Sequence, residues 1–128
     1  SGDYTWLMFE RAGAIKPGAF EKLSAKAMQL VGGPTSAPPP KDRSAYGKFM
    51  EDRAVDVFIT YCTGAVTALR EVPGLVNVAL PDNLSVTATY GMVVMRGAAS
   101  PANELADFVL SEEGQNILKK QGFAPLTP

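Results

Sequence analysis

The stretch "AVDVFITYCTGAVTALREV", residues 54–72, decides how the chain is read. Its first half, "VDVFITY", is rich in β-branched and aromatic residues with Asp56 at its start, and predicts a buried strand. Its second half, "TGAVTALREV", brings Ala65, Val66, Leu69 and Val72 to one side at helical spacing. Pro73 and Gly74 stop that helix. A strand that ends in Tyr61 and passes through a small polar turn into a helix is the repeating unit of an α/β protein.

The same alternation continues on both sides. Upstream, "DYTWLMFERA" (3–12) predicts a helix capped by Asp3, with Tyr4, Leu7, Met8 and Arg11 sharing a side. A second helix restarts after Pro17 and Gly18, carrying Phe20, Leu23 and Ala27, and is expected to end in a short strand, "MQLVG". The loop "GPTSAPPPKD" follows, stiffened by its prolines, which supply no N–H for a helix or a central strand. "DRSAYGKFMEDRA" predicts a helix capped by Asp42 or Ser44, with Tyr46, Phe49, Met50 and Arg53 on one face.

Downstream, "LVNVALP" and "VTATYGMVVMRG" read as strands. Ala102, Leu105, Ala106, Val109 and Leu110 repeat at helical intervals. Ser111 caps a last helix, with Glu112 and Glu113 in its first turn, Lys119 and Lys120 in its last, and Gly122 beyond it. The expectation is one α/β lobe over residues 1–128, three-layered, with a largely parallel sheet.

Counts narrow the function. The 128 residues suit about one domain, and 46% hydrophobic with 20% charged residues is ordinary globular composition. A net charge of −1 disfavours nucleic acid or an anionic membrane as the main partner. No run approaches the length of a membrane span, so no direct membrane insertion is expected. No secretion signal is read in "SGDYTWLMFE". With no histidine and one cysteine, Ser-His-Asp and Cys-His catalysis are excluded within the chain, and the usual zinc sites are disfavoured.

Cys62 opens the helix after Tyr61, where a thiol can become nucleophilic. A cysteine phosphatase loop needs arginine six positions on; Ala68 stands there, and a small buried residue is the expected reading of Cys62. The glycines of "VGGPTSAPPPK" do not make a phosphate loop, because the prolines remove its donors. No catalytic set or metal site is read, and no cofactor.

Ligands of open α/β sheets bind beyond the carboxyl ends of the strands. Tyr61 is at such an end, beside the unpaired first amides of the next helix. The helix start at Asp42, Arg43 and Ser44 and the N-terminus from Ser1 to Tyr4 offer further free amides. Such groups together with a hydroxyl suit an anion. A tyrosine ending a strand is, on pattern alone, more often a partly buried core residue, and Arg43 a solvated charge.

Three stretches carry a family likeness: "SGDYTWLMFERAGA", "DRSAYGKFMEDRAVDVFITYCTGAV" and "ASPANELADFVLSEEGQNILKKQGFAPL". Together they resemble the second lobe and C-terminal part of the molybdate-binding proteins of bacterial ABC importers, which have the type II periplasmic-binding-protein fold. The resemblance implies a non-catalytic, periplasmic or extracytoplasmic binder of a small tetrahedral oxyanion, molybdate first, serving an importer's membrane permease. Carried over by position, the ligand would meet the amide at Ser1, the amides around Arg43 and Ser44, and the phenol of Tyr61. The family also has a first lobe and a strand before the position of Ser1, so a missing lobe or another chain is expected to complete the protein. An alternative with the same fold is the effector-binding domain of a cytoplasmic transcription regulator.

Overall fold

The structure is a computed structural model that describes residues 2–126. Its helices follow the spacing and punctuation of the sequence closely. α1 (Gly2–Ile15) carries Asp3 in its first turn and buries Met8 and Phe9. The chain then turns through Gly18, whose φ of 81° is the left-handed conformation that glycine adopts without a steric penalty. α2 (Ala19–Lys26) packs back on α1. Gly13 allows that approach, since a Cβ there would stand 3.0 Å from the Cβ of Phe20.

α3 (Ala45–Glu51) is capped by Ser44, whose hydroxyl accepts from the Gly47 N–H at 3.3 Å. Of the two expected caps, Ser44 is therefore the one used. α4 (Cys62–Glu71) has Tyr61 as its N-cap, with no side-chain cap hydrogen bond, and buries Ala68. α3 and α4 pack together, and Tyr46, Phe49 and Phe58 fill the space beside them with ring centroids 4.9 and 6.2 Å from Phe58. α5 (Ser100–Leu110) and α6 (Glu112–Lys120) form the last pair. Ser111 joins them: its hydroxyl donates to the Phe108 carbonyl at 2.6 Å and accepts from the Gly114 N–H at 3.2 Å. The expected acidic first turn and basic last turn of α6 are both present.

The chain divides into two units, one through Thr87 and one from Ala88 onward. The first holds α1 to α4 and the four buried apolar side chains Met8, Phe9, Ala68 and Val72. Arg11 of α1 donates to the Ser85 carbonyl and so ties the end of that unit to its first helix. The second holds α5 and α6, with Tyr90 and Phe123 in edge-to-face contact at 5.6 Å.

The expected α/β lobe with a largely parallel sheet, and with it the type II fold, is overturned. The described residues form six helices and no strand. "MQLVG", "VDVFITY", "LVNVALP" and "VTATYGMVVMRG" all run as irregular chain. A β-branched run expresses only a preference for a pleated, half-buried surface, and becomes a strand when a neighbouring backbone supplies the ladder. Among the described residues no such ladder joins these segments. Val57, Val76 and Val78 stay 77%, 82% and 80% exposed, where a strand in a covered sheet would bury them. Helices close their hydrogen bonds locally and so appear where the pattern places them.

Candidate functional site

Tyr61 stands at the junction where the irregular run 55–61 enters α4. Its backbone is extended (φ −67°, ψ 153°), and its carbonyl accepts from the Ala65 N–H, the first turn of the helix. The amides of Cys62, Thr63 and Gly64 have no acceptor within the helix. Those N–H groups give this end of α4 a partial positive charge. The Tyr61 ring meets the edge of Tyr4, from the first turns of α1, at a centroid distance of 6.1 Å. The starts of α1 and α4 are thereby brought side by side.

Between them lies a cavity of about 50 Å³ lined by Tyr4, Thr5 and Met8 of α1, Ile59, Thr60 and Tyr61 before α4, and Leu80 and Val86. No lining residue carries a formal charge. The space exceeds the roughly 10–15 Å³ needed to hold one water-sized group, so it suits only a small ligand. A larger hollow of about 500 Å³ lies at the α1–α2 turn, beside Glu10, Phe20 and Glu21. It is open to solvent and flanked by two carboxylates, the wrong sign for an anion.

The four residues expected at the site separate. Ser1 lies outside the described residues, although α1 begins beside it at Gly2. Tyr61 is at the cavity. Ser44 is at the other end of α4, because its N–H donates to both carboxylate oxygens of Glu71, the last residue of that helix, at 3.0 and 2.7 Å. Ten residues of helix span roughly 15 Å, so the structure does not bring Ser44 to Tyr61. Arg43 pairs with Glu51 at 2.8 Å, partly exposed. The amide that was expected to hold a ligand thus holds a carboxylate of the chain itself. Cys62 is exposed, contrary to the expectation of burial.

Sequence reasoning passed over Thr5, Thr60, Leu80 and Val86. A threonine directly before Tyr61, with Gly64 four residues further on, was the one local signal available for Thr60. Leu80 and Val86 reach the cavity only through the tertiary fold. Among the described residues no group of three or more His, Cys, Asp or Glu side chains is placed to hold a metal ion. No helix among them is long and apolar enough to cross a membrane.

The model of one protein family, "Bacterial extracellular solute-binding protein", matches residues 1–124. The chain belongs to that family. It is 32% identical over 125 residues to "Uncharacterized protein PM1146" of Pasteurella multocida (strain Pm70), a match that covers 97% of this chain and 50% of that protein. The chain therefore spans about half the length of the curated relative it matches. No solved structure matches it.

The family is described as one of bacterial extracellular solute-binding proteins. The reading as a cytoplasmic regulator is not favoured by it. The family description names no solute.

Proposed function

We propose that the chain is part of the substrate-binding component of an ABC importer, and that the cavity beside Tyr61 takes a small tetrahedral oxyanion, molybdate in first place. The observation that carries this reading is the cavity itself: uncharged, small, and lined by Tyr61, the residue that caps the amino end of α4. Neutral donors suit a site that must hold a dianion and release it again, since their array can be matched to the ligand's radius. Tyr61 is the donor of the proposal at this cavity, and the amide at Ser1 is a further donor that the family resemblance implies. Arg43 and Ser44 would join only if Glu51 and Glu71 gave up their present partners. The remainder of a full-length protein, or another chain, would close the site and contact the permease.

The test is an amide-resolved NMR titration of the chain with molybdate, using sulfate and phosphate as controls. Selective shifts near Tyr61 and the first turn of α4 with molybdate are expected. Equal shifts with all three anions would keep an anion site and remove the molybdate preference. An absence of shifts, repeated with a chain of the relative's full length, would overturn the oxyanion reading.

A further inference from the structure

Thr60 precedes Tyr61, and its Oγ1 is buried without a hydrogen-bond partner. A buried hydroxyl in that state destabilises the protein that carries it, so its retention beside a cavity asks for a reason. Two further facts place it. The oxygen lies 2.6 Å from where a Cβ on Gly64 would be, which sets it against the first turn of α4. The amides of that turn also lack an acceptor within the helix. Thr60 shares the wall of the uncharged cavity with Tyr4 and Tyr61.

A hydroxyl without a partner on the wall of a cavity free of carboxylates, one residue before the cap of a helix, makes a place that offers donors and lacks charged acceptors. A fully deprotonated oxyanion is an acceptor only, and completes such a place. We infer that Thr60 is a further ligand and specificity residue of the anion held beside Tyr61, an inference that rests on the oxyanion reading of this cavity. The hydroxyl packs against Gly64. Contact with the anion requires a rotation about its Cα–Cβ bond between staggered positions, from Gly64 toward the cavity whose wall Thr60 shares.

The inference separates stability from binding, and the experiment reads both. Thr60→Val keeps the shape and removes the hydroxyl, Thr60→Ser keeps the hydroxyl, and Tyr61→Phe reports on the cavity reading itself. Each is measured by the thermal midpoint without anion and by NMR titration with molybdate, with sulfate as control. Thr60→Val is expected to melt at a higher temperature than the parent and to bind about tenfold more weakly, the scale of one hydrogen bond to a charged group. Thr60→Ser is expected to stay near the parent in affinity. Parental affinity in Thr60→Val together with weakened binding in Tyr61→Phe would overturn the role of Thr60 and leave the cavity reading standing. A lower midpoint in Thr60→Val would overturn the argument from the unpaired hydroxyl. If the parent itself shows no molybdate-dependent shift, the cavity reading falls and Thr60 with it.

Discussion

At Gly64 a single missing methyl decides whether α4 can begin where it does. A Cβ there would stand 2.6 Å from Thr60 Oγ1 and 2.7 Å from Tyr46 Cε2. The Tyr46 ring has little freedom to retreat, because it already packs on Phe58 at 4.9 Å. Gly64→Ala gains about 1 kcal/mol of helix propensity and loses about 1–3 kcal/mol to overpacking. A net loss of stability is therefore expected, read as a lower urea midpoint at unchanged slope. Tyr61→Phe makes the contrasting case. It removes an oxygen and leaves the ring against Tyr4, so folding should persist while oxyanion binding weakens by roughly 1–2 kcal/mol. Unchanged affinity in that variant would take Tyr61 out of the site.

At the scale of the element, serine caps anchor the last helix and α3. Ser111→Ala removes the acceptor for the Gly114 N–H and the donor to Phe108 at once. It should cost about 1 kcal/mol, measurable by urea unfolding. Gly114→Ala should cost more than a cap, since its Cβ would collide with the backbone carbonyl of Phe108, which cannot rotate away. These caps were legible in the sequence, as were all six helices to within a few residues, because a helix start is written in consecutive residues. The sheet was misread for the opposite reason. "VDVFITY" and "LVNVALP" state what a strand would be made of, and not whether another backbone lies alongside. The site was half legible in the same sense. Tyr61 and the start of α4 belong to one local run, whereas the distance from Ser44 to Tyr61 is fixed by how α3 docks on α4. No residue pattern announced that Glu71 would take the Ser44 amide.

At the scale of the whole molecule, each unit leaves apolar side chains bare: Val57, Val76 and Val78 in the first, Val93 and Met95 in the second. Apolar surface of this kind is available for a partner to cover. The curated relative has about twice the length. The isolated chain should therefore bind an environment-sensitive apolar dye strongly, and a chain of the relative's full length should bind it less per molecule. Equal binding by both would show that the additional length leaves this surface bare. The uncharged lining of the small cavity has a different consequence, in acidity. It includes no Asp, Glu, Lys or Arg, and the chain has no histidine, the side chain whose ordinary pKa falls between pH 5 and 8. Molybdate is a dianion across most of that range. On the proposed oxyanion reading its affinity should accordingly stay nearly level with pH, so that capture would proceed alike in mildly sour and neutral surroundings.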